Sequence, residues 1–196
     1  MTRRIVVVFA VLVAIAIGLG LYALHLKRKV ARDEQLAAQQ QLEMAPPGNG
    51  PPTPVTLYIA SDSDATLRKT QMNIALPVER SESARAVLRA LFAAYLQSPS
   101  PHPIGAGADV RDVFLLGDDT AVVDTNSAFA NAHPSGVLAE ELTVASIVAT
   151  LNANDSKIQR VKILVNGQER ETLAGHADLL RFYLASNIGQ AVKDLQ

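Results

Sequence analysis

The chain has 196 residues, a formal net charge of −1, and neither cysteine nor tryptophan. Without cysteine, disulfides, thiolate catalysis, cysteine-ligated metals and a lipid-modified cysteine are excluded. A near-zero charge with no basic block in the body of the chain argues against nucleic-acid binding, which needs a clustered cationic face.

After a four-residue head carrying Arg3 and Arg4, Ile5–Leu26 is an uninterrupted apolar run. At about 1.5 Å per residue it reaches ~33 Å, enough for a bilayer core of roughly 30 Å. A cleaved signal peptide wants a shorter apolar core and a small-residue cleavage site. Here Lys27, Arg28 and Lys29 follow at once, so an uncleaved single-pass anchor is expected. Counting charges alone, Lys27, Arg28, Lys29 and Arg32 outweigh the head and would leave the C-terminal part in the cytoplasm. A short head can also stay inside and send the rest out, so the residues alone leave the orientation open.

Residues 27–45 are polar, rich in Gln, Ala and Glu, and favour a helical stalk. Residues 46–54 hold five prolines and two glycines and read as a semi-extended tether. A folded domain is expected over 55–185, with 186–196 as a tail.

In the domain, Val55, Leu57 and Ile59 alternate with polar or amphipathic residues, as a half-buried strand requires. Ser61–Asp64 reads as a polar loop; it lacks the glycine and distal glutamate of a calcium-binding loop. Arg68–Leu76 gives a second strand, stopped by Pro77. Ser81 offers a helix N-cap, and Ala84, Val87, Leu88, Leu91, Phe92 and Tyr95 follow at helical spacing. Val110–Leu116 and Ala121–Asp124 form strands about the Gly117-Asp118-Asp119 turn. A second helix is expected from Val137 to Asn152. Its apolar residues cover most of its circumference and leave a narrow polar stripe of Glu140, Thr143, Ser146 and Thr150. Such a helix is buried on more than one side.

Val161, Ile163 and Val165 make a further strand, and Asn166-Gly167 is a strong turn signal. Glu169–Thr172 is expected to return as a short edge strand. Leu173 re-enters the apolar layer and Gly175-His176 punctuates the chain. After Asp178, short helical turns are expected to pack back through Leu179, Phe182, Tyr183 and Ile188. The order is βαββαβ after one extra strand. It predicts an α+β fold, an antiparallel sheet with two helices on one face.

These pieces, in this order, resemble the GerMN family, the domain of spore-germination and sporulation envelope proteins, over roughly Val55–Tyr183. The resemblance rests on Val55, Leu57 and Tyr58 in the opening strand, the helix at Ala84–Leu96, the Val123-Asp124 step, and Glu140 with Thr150-Leu151. It extends through Ile163-Leu164-Val165, the Asn166-Gly167 turn and the Gly175-His176 step. Asn166 stands where Asp is common, Ser98–Gly107 is looser than the usual step, and Thr125-Asn126 replaces Leu-Ser. The family implies an extracytoplasmic, membrane-tethered domain similar to ring-building modules of envelope assemblies. It implies no enzymatic activity, and it favours an exported domain over the raw charge count.

Asp124, Glu140, His176 and Asp178 are the residues from which acid–base or metal chemistry could be assembled. Each also has a structural reading: a strand-end carboxylate, a first-turn helix residue, a loop anchor and a cap. Asn166, Gly167 and Gly175 read as turn residues. No phosphate loop, nucleophile elbow or two-histidine metal helix is present, and no cofactor or metal is implied. The reading is a noncatalytic envelope module held in the cytoplasmic membrane through Ile5–Leu26. It would contact a protein partner or a second copy through Asp124, Glu140, Leu142, Thr143, Ile147, His176 and Asp178. Alternatives are a peptidoglycan-binding module or hydrolase accessory, and, further off, an enzyme using Asp124, Glu140 and His176.

Overall fold

The structure is a computed structural model and describes residues 51–188. The expected anchor at 5–26, the stalk at 27–45, the first part of the tether and the end of the tail lie outside the described residues. Among those described, no helix is long and apolar enough to cross a membrane.

The strands are β1 (Pro52–Ser61), β2 (Thr66–Ala75), β3 (Val110–Leu116), β4 (Thr120–Thr125), β5 (Arg160–Val165) and β6 (Tyr183–Leu184). The helices are α1 (Arg80–Leu96), α2 (Ser127–Asn131) and α3 (Val137–Asn154). The fold is α+β as expected, but the single antiparallel sheet is not formed. β1 and β2 make an isolated antiparallel hairpin, and β3-β4-β5-β6 make a separate mixed sheet. The reason lies in two connections. β4 reaches β5 through α2 and α3, a crossover that sets the two strands parallel, with Val123 beside Ile163. The outer edge of β1, meanwhile, is filled by helix side chains and has no place for another strand. The amides of Thr56, Tyr58 and Ala60 donate to Asn154 Oδ1, Thr150 Oγ1 and the Tyr95 hydroxyl at 2.9, 3.0 and 2.9 Å.

The same edge explains why β1 begins three residues before Val55. Pro52 and Pro54 have no N–H to offer, and they fall on the outward-facing positions where none is needed. α1 buries the six apolar residues that its spacing marks. Its N-cap is Glu79 rather than Ser81: the Glu79 carboxylate accepts from the Glu82 amide at 2.8 Å, and the Ser81 hydroxyl donates to that same carboxylate. A carboxylate answers both the free amides and the positive end of the helix dipole.

Val113, Ala121, Val123, Val161, Ile163 and Val165 line the core face of the mixed sheet. The Asn166-Gly167 turn forms as expected, with φ of 52° and 72°. The expected return strand at Glu169–Thr172 does not form; Gln168 makes an isolated bridge to Val165, and Thr172 makes one to Asp178. After Asp178 the chain first pairs as β6, Tyr183 beside Val161, and only residues 185–188 turn helical.

α3 carries the largest departure. Its polar stripe faces inward, and Glu140, Thr143, Ser146 and Thr150 are as buried as Val144, Ile147 and Val148. Leu142 and Ile147, expected at a contact surface, are 6% and 0% exposed and belong to the core. Replacing either with Asp would therefore unfold the domain rather than report on association. Trimming Ile147 to Ala leaves a cavity and should cost about 2–5 kcal/mol in chemical denaturation; a loss below about 0.5 kcal/mol would contradict this packing.

Candidate functional site

The sequence-marked residues fall into three clusters. The first is built on Glu140, in the opening turn of α3. Both its oxygens are engaged. Oε2 accepts from the amides of Ala174, His176 and Ala177, each at 2.9 Å. Oε1 accepts from His176 Nδ1 at 2.8 Å and from the Gly136 amide at 3.2 Å. The loop that supplies these amides is closed by a bridge between Thr172 and Asp178 and by the Leu173 amide donating to the Ala177 carbonyl. Gly175 has φ 125°, and this turns the amides on either side toward one point. Leu173, Ala177 and Leu179 are fully buried beneath. Asp178 caps the following turn, accepting from the Leu180 amide at 2.8 Å.

A buried carboxylate is costly unless it is fully paired. Burial here opposes the charged form, but the His176 hydrogen bond and then the three loop amides outweigh it. They hold the Glu140 carboxyl down at about 2, from an ordinary 4.5. His176 and Glu140 thus do meet, but as an anchor. No lone pair directed outward remains to act as a base.

The second cluster sits at the end of the mixed sheet. Asp124 Oδ1 accepts from the Gly167 amide at 2.6 Å, and its other oxygen lies 3.4 Å from Arg111 Nε. Arg111 Nη1 donates to Asn166 Oδ1 at 3.0 Å. Asp124 therefore holds the Asn166-Gly167 turn and has partners of its own, apart from Glu140 and His176.

The third cluster was not visible in the sequence as a cluster. Thr143 Oγ1 lies 2.6 Å from His102 Nε2 and 2.7 Å from His133 Nε2, and donates toward the Ala139 carbonyl at 3.0 Å. His102 Nδ1 is 2.5 Å from Asp62 Oδ1, and His133 Nδ1 is 2.8 Å from the Pro134 carbonyl. Both histidines precede prolines in loops that are distant from each other in the sequence. Carbonyls only accept, so His133 Nδ1 holds a proton. Burial, chiefly, pushes His133 below its ordinary range, leaving Nε2 as an acceptor. The single Thr143 hydroxyl proton is shared between His133 Nε2 and the Ala139 carbonyl, and His102 bridges Thr143 and Asp62 through its two ring nitrogens. The Asp–His–Thr order resembles a nucleophile relay, but Thr143 is completely buried and its oxygen is enclosed by three partners. The group is a tie between α3, the loop before β3 and the β1–β2 turn. Tyr95 packs edge-on against His102 at 4.9 Å between ring centres. Its hydroxyl is pushed up to about 12, mainly by burial, and serves as an acceptor for Ala60.

Among the described residues, no group of three or more His, Asp or Glu is placed to hold a metal, and no buried side-chain nitrogen or oxygen lacks a hydrogen bond.

These features define a class: a small α+β domain in which a hairpin and a mixed sheet are tied to one long helix by inward polar groups. The family model described as Germane, sporulation and spore germination, matches residues 56–171. That is more than half of the chain, and the chain belongs to this family. Among solved structures, the tandem GerMN domains of the sporulation protein GerM from Bacillus subtilis align with a TM-score of 0.51 at 21% identity, over 67% of this chain and 45% of that one. The first GerMN domain of that protein aligns at 0.46 and 23% identity, over 66% and 94%. A protein described as a lipoprotein from Clostridium perfringens aligns at 0.44 and 18% identity, over 71% and 91%. The chain thus spans under half the length of the tandem-domain protein. No curated protein sequence matches. The similarity to the tandem GerMN domains shows a shared fold.

The Glu140 anchor has a signed pH dependence. Its folded carboxyl lies below the unfolded one, so its stabilisation is complete above about pH 5 and is lost as pH falls from 4.5 toward 2. Denaturation curves across that window should lose on the order of 3 kcal/mol. Glu140→Gln should be less stable at pH 7 and show a shallower acid slope; an unchanged slope would refute the anchor.

Proposed function

We propose that the chain is a membrane-tethered, noncatalytic module of the cell envelope that works through protein–protein contact. The observation that supports it best is the use made of its reactive groups. Glu140, Asp124 and Thr143 are buried and hydrogen-bonded within the fold, and His176, whose side chain is half-exposed, is held to Glu140 through Nδ1. The apolar run Ile5–Leu26 supplies the tether, and membership of a sporulation and germination family supports an exported domain.

The outer face of the mixed sheet supports contact rather than chemistry. Phe114 and Leu116 on β3 are 49% and 56% exposed. Phe114 lies across from Val122 and Val122 across from Lys162, and the Phe182 ring is 4.6 Å from the Arg160 guanidinium carbon and 5.8 Å from Lys162 Nζ. An apolar row rimmed by charge is the usual character of a protein-contact face. A glycan-binding module would want open aromatic platforms. Among the exposed large hydrophobics of the described residues only Phe114 and Phe182 are aromatic, and Arg160 already covers Phe182.

A photo-reactive phenylalanine at position 114 of the full chain, in cells, should form discrete covalent adducts with protein; the same group at the exposed Lys157 should not. Adducts at neither position, or equally at both, would count against this reading.

A further inference from the structure

The hairpin has two edges, and the fold treats them differently. β1's outer edge is closed by Asn154, Thr150 and Tyr95, which take the amides of Thr56, Tyr58 and Ala60. Asn154 Nδ2 also donates to the Thr56 carbonyl at 2.6 Å. Because those even-numbered residues point away from β2, the odd-numbered Val55, Leu57 and Ile59 turn their backbone groups toward it. Their partners Met72, Thr70 and Arg68 answer them. The remaining residues of β2, Leu67, Lys69, Gln71, Asn73 and Ala75, therefore turn their N–H and C=O groups outward. Among the described residues no hydrogen bond reaches that edge.

β2 is also long for an edge, at ten residues, and Arg68–Asn73 are exposed without interruption. Natural edges of this length are blunted by charge, proline or a covering element. Here the charges, Arg68 and Lys69, sit toward one end, and the run from Thr70 to Ala75 carries none.

We infer that the open edge of β2 pairs antiparallel with β2 of a second copy, about a two-fold axis at Gln71, to make a continuous four-stranded sheet. This deepens the proposed contact role and rests on it. The occupant follows from the positions of the charges. A two-fold at Gln71 is the one placement that maps all five outward residues onto themselves. It sets Lys69 opposite Asn73, Leu67 opposite Ala75 and Arg68 opposite Ile74, so no like charges face each other. Moving the axis to Lys69 would oppose two lysines. Moving it to Asn73 would bring Lys69 against Pro77, which has no N–H. An isologous pairing of this kind closes on itself and does not propagate into a fibre.

The chain has no cysteine, so a single introduced thiol reports unambiguously. Paired residues in such a ladder lie about 5.5 Å apart at Cα, within reach of a disulfide. In the full-length protein, mild oxidation of Gln71→Cys should convert most of the protein to a disulfide-linked dimer, whereas Lys157→Cys should stay monomeric. Gln71→Pro removes an outward amide without touching the β1 ladder. It should turn a dimer seen in sedimentation into a monomer that stays folded and melts cooperatively. Equal cross-linking at 71 and 157, a dimer that survives Gln71→Pro, or Gln71→Cys linking to a different protein would each overturn the inference. If Gln71→Cys stays monomeric while position 114 still captures protein, the edge pairing fails and the contact role stands.

Discussion

The structure depends on one buried carboxylate and on the helix stripe it heads. Glu140, Thr143, Thr150 and Asn154 recur at near-helical spacing along one side of α3, and between them they reach three different parts of the chain. Glu140 gathers the loop at 174–177, Thr143 joins His102 and His133, and Thr150 and Asn154 take the edge of β1. Hydrophobic burial is non-directional and would let these segments settle in several ways. A buried polar group that needs a particular partner at about 2.9 Å does not. The apolar residues of α3 supply the driving force, and its polar residues set the arrangement.

This division explains how a loop with little core of its own keeps one shape. Residues 172–178 contribute Leu173 and Ala177 to the core, and the other five are half-buried or exposed. Their amides would be stranded near the protein interior without an acceptor. One carboxylate gives three of them an acceptor, and Gly175 supplies the positive φ that points them there.

The sequence showed much of this outline and misjudged its interior. Strand and helix positions followed from period and turn chemistry: the β5 run, the Asn166-Gly167 turn and the buried face of α1 all form as their residues indicate. Three kinds of information were not local. The parallel β4–β5 pairing depends on where α3 packs, which no window of residues reports. α2 is only five residues long, capped by Asn126, and too short to carry a period. The polar stripe of α3 was read as the leftover side of an apolar helix, because polarity normally marks the solvent side. The stripe faces inward toward partners at 58, 102, 133 and 174–177, which lie outside the helix in sequence and are not visible in its own window. What could have hinted at this was the width of the apolar surface: a helix greasy on nearly all sides leaves no solvent side for its polar residues to occupy.

The Gly175-His176 step and the helix glutamate Glu140 are the two ends of the same anchor. The account is tested most directly by following the Glu140 side-chain carboxyl carbon by NMR as the protein is acidified, with the amides of Ala174, His176 and Ala177 observed alongside. A midpoint near 2, with the three amides moving together at that same midpoint, is the predicted result. A midpoint at the ordinary 4.5, or amides indifferent to the titration, would contradict the claim that this carboxylate organises the fold.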